Sequence, residues 1–367
     1  MHLVLAYRPG HAVHELRCER LEGGIDLTVE IPVGLVARGP AEPTPPRRPG
    51  SVRRTSTIDM RWPAGPGTQL RLVGRARDLL TPDNGGDPVV LREDTMRAGI
   101  NSATRTIEEI EAHPTRPNVT KLIGSRGGGN SRATLAEAMA DEAAAGTPLY
   151  LLLDDIAGAS LIAGFAYSRW IDRDLLMQEI SARPVRDMTG ICTGFQPGSG
   201  ALMPDGSSKW THQVQPVQPL PLGGDPLSWH ALEEITDMAM RRARRIDVHV
   251  GDVITIDSMF QDSSTVPTGG RVAVHEYRLT ATADPDTGEL LTIDADPRVL
   301  PYDECPLASR NVGKALGTPL SELRTVVLDK FSGTEGCTHL NDAMRALAEV
   351  PVLVRALRED EHRRARP

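Results

Sequence analysis

The sequence has little aromatic material. Phe, Trp and Tyr make up 4% of its 367 residues, which leaves almost nothing for a base-stacking platform. Bulk positive charge is also missing: 41 Lys and Arg stand against 49 Asp and Glu, a formal net charge of −8, so bulk binding to nucleic acid or an anionic membrane is excluded. No apolar run approaches the roughly 18 residues of a membrane helix. The longest, Leu149 to Leu153, ends in Asp154 and Asp155. The opening MHLVLAYRP is too short an apolar stretch for a signal peptide, so the expected location is cytoplasmic. Cysteine is scarce: Cys18, Cys192, Cys305 and Cys337 include no Cys-x-x-Cys pair. In a reducing compartment they read as thiols or ligands. Gly-x-Ser-x-Gly and His-Glu-x-x-His are absent, and the Gly-rich GSRGGGN at 124–130 lacks a Gly-Lys-Ser/Thr ending. The usual hydrolase, zinc-protease and phosphate-loop motifs therefore find no support.

Gly and Pro are abundant, at 34 and 29 residues, and they cluster. Residues 39–54, GPAEPTPPRRPGSVRR, read as an extended linker after an N-terminal β-like segment, 1–38. Thr55 to Met60 and Leu70 to Gly74 then form a hairpin across the turn Pro63 to Gly67. Asn101 to Ile110 and Arg132 to Ala144 have polar, helical character, while PLYLLL at 148–153 fits either a buried strand or a short helix. The Pro- and Gly-rich stretch 188–228 reads as an irregular insertion or functional surface loop. It divides a first lobe, 55–187, from a second, 229–355, and the charged end, 356–367, reads as a disordered tail.

The two lobes read alike. RRTSTID at 53–59 returns as RRARRID at 241–247, an offset of 188. IEAHP at 110–114, LIG at 122–124 and GT with LDD at 146–155 are followed by IDADP at 293–297, ALG at 315–317 and GT with LND at 333–342. The fold class expected is α+β with two related lobes, each a β-hairpin or small antiparallel sheet followed by helices, as in an internal duplication. RRARR itself reads as the solvated end of a helix from Trp229 to Arg242, its cations near the C-terminus.

The chemistry gathers in the second lobe. VAVHEYRLTATA at 272–283 alternates as a half-buried strand does, Asp284 to Gly288 is a turn, and Glu289 to Ala295 returns as a strand. PYDECP at 301–306 breaks that strand and opens a helix, Leu316-Gly317 ends it, and further helices follow over Pro319 to Phe331 and Asn341 to Glu349. Cys305 and Cys337 thus stand at helix starts, where the dipole favours the thiolate, which is both nucleophile and metal ligand. With His339 and His275 they supply two thiolates and two imidazoles, a tetrahedral set for zinc or iron. Asp154 with Asp155, and Asp257 with Asp262, offer acid/base pairs, with turn and capping roles as the alternative. Trp229-His230 reads as a pocket pair or as packing.

RRTSTIDMRWP, GRARDLLT, PLYLLLDDIAGASLIAGFA, DPLSWH, VHEYRLTATAD, LPYDECP and GCTHLND together resemble a bacterial family, the domain-of-unknown-function family numbered 2889, over 53–352. That resemblance implies no activity. The C-terminal third is similar in its order of features to NifU/IscU-type iron–sulfur scaffold proteins, with strand, acidic turn, strand, Cys at a helix start, Leu-x-Gly, and Cys-x-x-Leu opening a last helix. This second resemblance implies that Cys305 and Cys337 fall on two scaffold ligands and His275 near a strand-borne aspartate. The scaffold's first cysteine has no counterpart at Gly269-Gly270-Arg271, and Gly336 stands where its histidine would precede the last cysteine. The function expected is a metal-binding or sulfur-handling accessory protein with Cys305, Cys337, His339 and His275 as ligands, its partner an unknown protein or small molecule. An enzyme using Cys337 as nucleophile and a His base on a small acyl or sulfur substrate is one alternative. A non-catalytic interaction module is the other.

Overall fold

The computed structural model describes residues 36–128, 131–182 and 185–364, together with two short strands nearer the N-terminus. Those strands, β1 (Val13–Leu16) and β2 (Val29–Pro32), pair antiparallel. The other residues before 36, Cys18 among them, lie outside the described residues.

Four strands follow as an antiparallel meander: β3 (Ser51–Arg61), β4 (Leu70–Thr81), β5 (Val89–Ile100) and β6 (Ile107–His113). Next come α1 (Ser131–Ala138), α2 (Ala140–Ala145), α3 (Pro148–Ile162), α4 (Tyr167–Trp170) and α5 (Arg173–Ser181). The stretch 188–228 is largely irregular, holding a 3-10 turn at Thr193–Phe195 and the two-residue β7 (Gln215–Pro216). A second meander comprises β8 (Ala239–Val250), β9 (Ile254–Thr265), β10 (Arg271–Ala283) and β11 (Leu290–Val299). A long 3-10 helix at Cys305–Ala315 leads to α6 (Leu323–Lys330), α7 (Thr338–Arg345) and α8 (Val350–Arg364).

The two meanders form one sheet, ordered β11-β10-β9-β8-β3-β4-β5-β6, with β7 paired to β10. They meet through β3 and β8, antiparallel, with Arg53 opposite Asp247 and Asp59 opposite Arg241. One face carries the helices: α3 packs on β3, β4 and β5, α7 on β9 and β10, and α8 on β3 and β8. Leu220 and Trp229 pack on Ala243. Trp229 donates its indole N–H to Thr44 Oγ1 at 2.8 Å, and His230 sits 2.9 Å from both Thr55 Oγ1 and Thr57 Oγ1. This pair is packing.

Several expectations are corrected. Asn101 to Ile110 is not a helix: Asn101 Oδ1 accepts from Ala103 N–H and Thr104 N–H in a turn, and Ile107 begins β6. A bulge between Gly99 and Ile100 pairs Ile100 with Ile107 but Gly99 with Glu109. Ile107 and Ile110 therefore share a face at a spacing of three, which mimics a helix. The run at 241–245 is no solvated helix end; Arg241, Arg242, Arg244 and Arg245 are all buried in the central strand β8. The PLYLLL stretch is helical, within α3. Pro148–Trp170 is long and apolar enough to cross a membrane by length and composition, contrary to the sequence reading, yet 78% of its apolar window is buried inside the protein. Most of the tail is ordered as the end of α8, where Arg358 Nη2 also donates to Pro285 O at 2.5 Å.

Candidate metal centre

The arginines of β8 alternate between the two faces of the sheet, and each finds acid. On one face Arg241 meets Asp59, and Arg245 meets Asp247 and Asp257. On the helix face Arg244 makes two bonds of 2.6 Å to Asp155. Arg242 clasps Asp262 of β9 with Nε at 2.9 Å and Nη2 at 3.0 Å, and turns Nη1 to Asp342 at 2.9 Å and Asp155 at 3.4 Å. Burial works against the Arg242 charge, but Asp262, Asp155 and Asp342 outweigh it and hold its pKa above the ordinary value. Gly158 of α3 leaves the room for this: a Cβ there would overlap Arg242 Nη1 and stand 2.6 Å from Asp342 Oδ2. The proposed acid pairs Asp154–Asp155 and Asp257–Asp262 are thus divided among guanidinium partners, Asp154 going to Arg324 and Arg345.

Asp262 has a second set of neighbours. Its Oδ2 lies 3.7 Å from His275 Nδ1 and 3.7 Å from His339 Nε2. The two imidazoles stack with centroids 3.4 Å apart and planes 16° from parallel. His275 comes from β10, where a bulge after Ala273 lets Ala273 face Ser263 while His275 faces Asp262. That extra residue reverses the inside–outside parity of the strand and delivers His275 to the helix face. His339 is the second residue of α7, packed over β9 and β10. Asp262 is wholly buried and His275 nearly so.

Both His275 Nδ1 and His339 Nε2 are buried without a hydrogen-bond partner. Each such group costs about 1–3 kcal/mol if left unmade. Burial pushes both imidazole pKa values well below the ordinary value, helped at His275 by His339 and at His339 by Arg242 and Arg244. The rings are therefore neutral, the form that binds metal. Among the described residues, Asp262, His275 and His339 are the group whose ligand atoms all lie within 4.8 Å of one another.

Of the four ligands expected from the sequence, His275 and His339 come together, and Cys305 and Cys337 stand outside their group. Cys337 stands two residues before His339, and Tyr277 of β10, which faces Cys337, two residues after His275, while Cys305 belongs to another element, the 3-10 helix after β11. The predicted thiolate character is not found. Cys305 starts a 3-10 helix rather than an α-helix, and burial, then Cys337 and Cys192, pushes its pKa well up. Cys337 precedes α7, yet burial raises its pKa too. Desolvation outweighs the helix dipole at both.

Asp262 was visible in the sequence only as half of a different pair, and Cys192 and His212 were not singled out. His212 packs among Phe165, Trp210 and Tyr302, its pKa lowered to about 4 by burial and then by Arg169. No local pattern could have linked either residue to the site; both arrive on the irregular stretch after α5. No curated protein and no solved structure matches the chain, and the resemblance to NifU/IscU-type scaffolds read from the order of motifs is not shown. Residues 240–353, from β8 through Asp262, His275 and His339 into α8, match the model of a family described as a protein of unknown function (DUF2889).

Proposed function

We propose that the chain is a metal-binding protein whose ion is held by Asp262, His275 and His339. One observation carries this reading: two buried imidazole nitrogens, neither hydrogen-bonded, face a single carboxylate oxygen. A cation between them would give each nitrogen a partner and offset the negative charge at Oδ2. Two imidazoles and one carboxylate form the donor set of zinc centres that keep an open position and of non-haem iron(II) centres. Arg242 fixes the carboxylate from behind, as outer-shell partners do in such sites. Cys337 as a nucleophile draws no support, since a buried thiol of raised pKa is inert. Among the described residues three cysteines are free, which supports the cytoplasmic location we infer.

The test is zinc and iron(II) titration of the purified chain by calorimetry, beside His275→Ala, His339→Ala and Asp262→Asn. The expected result is one equivalent bound by the native chain and at least a roughly tenfold loss of affinity in each variant, the scale at which even outer-shell changes act. Binding unchanged across the series, with folding verified by circular dichroism, overturns the reading.

We further infer that the two meanders descend from one duplicated unit. The β3–β8 register supports it, because each copy's arginine lies opposite the other copy's aspartate, Arg53 to Asp247 and Arg241 to Asp59, as a two-fold axis requires. The clasp recurs as well: Arg54 grips Asp78 through Nε and Nη2 at 2.6 Å each, as Arg242 grips Asp262, and turns Nη1 to Glu349.

A further inference from the structure

A third imidazole, His212, stands beside the Asp–His group because of how β10 is edged. β7 pairs β10 through Val272 and Ala273, and β11 takes over at Glu276. His275 falls in the gap, and the chain leading into β7 carries His212 past it, with Gln213 N–H donating to Pro301 O at 3.0 Å. The two imidazoles are near enough that charge on one disfavours charge on the other. Three aromatic rings surround His212: Phe165 edge-on at 5.4 Å, Tyr302 at 5.6 Å and Trp210 at 5.9 Å between centroids. Trp210 is exposed and His212 and Tyr302 are half-buried, so the cluster reaches the surface. Arg169 of α4 lies over the Phe165 ring, 5.4 Å from its centroid. Its Nε donates to Ser168 Oγ at 3.2 Å, and among the described residues no carboxylate pairs with it, in contrast to the arginines of β8. An arginine stacked on a ring is ordinarily packing, but the His212 Nδ1 is buried without a hydrogen-bond partner. A free guanidinium and an unsatisfied ring nitrogen among aromatic walls are what a ligand with an apolar body and one anionic end requires.

We propose that Arg169, His212 and the rings of Phe165, Trp210 and Tyr302 bind a small aromatic carboxylate beside the Asp–His group. The terminal nitrogens of Arg169 take the carboxylate through charge-assisted hydrogen bonds. His212, neutral with its hydrogen on Nδ1, donates to the same anion, and the three rings hold the apolar body by edge and face contacts. No bond is made or broken in this step. As the substrate class of the metal centre the inference rests on the metal-binding reading, but the binding itself does not need the ion.

The experiment titrates benzoate and phenylacetate into the full chain by calorimetry, metal-free and zinc-loaded, with benzamide as the uncharged counterpart and acetate as the acid without a ring. It is repeated on Arg169→Gln and Trp210→Ala, with folding verified by circular dichroism. The expected result is one equivalent of aromatic acid bound, with benzamide and acetate at least about tenfold weaker, the scale of one hydrogen bond to a charged group. Each variant loses at least about tenfold for the aromatic acid, while both still take up zinc as the native chain does. Zinc uptake without saturable binding of either aromatic acid strikes this inference alone. Binding of the acid without zinc uptake strikes the metal-binding reading alone and leaves the carboxylate site standing. Benzamide bound as well as benzoate, or binding indifferent to Arg169→Gln, also overturns the proposal.

Discussion

Gly158 and His230 show how single positions constrain this molecule. Gly158 lies where α3 crosses the guanidinium of Arg242, and a methyl group there collides with Nη1 and crowds Asp342. Gly158→Ala, which ordinarily stabilises a helix, is instead expected to cost about 2–4 kcal/mol by overpacking and by loosening a buried ion pair. Urea denaturation checks it, and a neutral or stabilising result contradicts the packing described. His230 is buried between Thr55 and Thr57, and burial, with Arg77, Arg241 and Arg75, lowers its pKa from 6.5 to about 3. The unfolded chain takes up that proton near pH 6.5 and the folded chain does not. Stability present above pH 6.5 is therefore lost as pH falls from there toward 3, by up to about 1.4 kcal/mol per pH unit. His230→Gln should flatten this part of the stability–pH profile; an unchanged slope shows that His230 is not its source.

At the scale of elements, β8 holds its arginines inside the sheet because each meets at least one carboxylate on its own face, some of them shared with a second arginine. Removing Asp59 leaves Arg241 with its charge buried, and Asp59→Ala is expected to lose about 3–5 kcal/mol. The exchange Asp59→Arg with Arg241→Asp should recover part of that loss, since Asp59 and Arg241 are direct cross-strand partners. A double-mutant cycle in denaturant measures the coupling, and strict additivity would refute a direct Asp59–Arg241 interaction. The same strand explains what could and could not be read in advance. The hairpin at β10 and β11 was legible because its apolar residues alternate against solvent on one side. β8 was not, because charge on both faces reads as a solvated surface when the partners lie far off in sequence. His275 and His339 were legible as candidate ligands by residue type. Asp262 was misassigned to Asp257, although a separation of five in a strand sends two side chains to opposite faces. The thiols were placed correctly near helix starts, but their burial, which decides their chemistry, depends on a loop that arrives from 188–214.

For the whole molecule, the join between halves is the decisive feature. Cutting the chain before 229 removes β3 and leaves β8 as an edge, taking Asp59 from Arg241 and Asp155 from Arg242 and Arg244. An unpaired edge of that length invites pairing with another chain. If the halves are duplicates, the partner that fits is a second copy of the same fragment. Two β8 strands set antiparallel about Arg244 would bring Arg241 of each opposite Asp247 of the other, repeating the native pairs Arg53–Asp247 and Asp59–Arg241. Residues 229–364 alone are thus expected to form a two-fold dimer through β8, while the full chain, whose β8 edge is already covered by β3, does not use that surface. Sedimentation of the fragment decides the matter, with Asp247→Arg as control: that change sets an arginine opposite Arg241 in both symmetry-related pairs and should return the dimer to monomer. A folded fragment that stays monomeric, or a dimer indifferent to Asp247→Arg, would mean that the β3–β8 register does not descend from a symmetric pair.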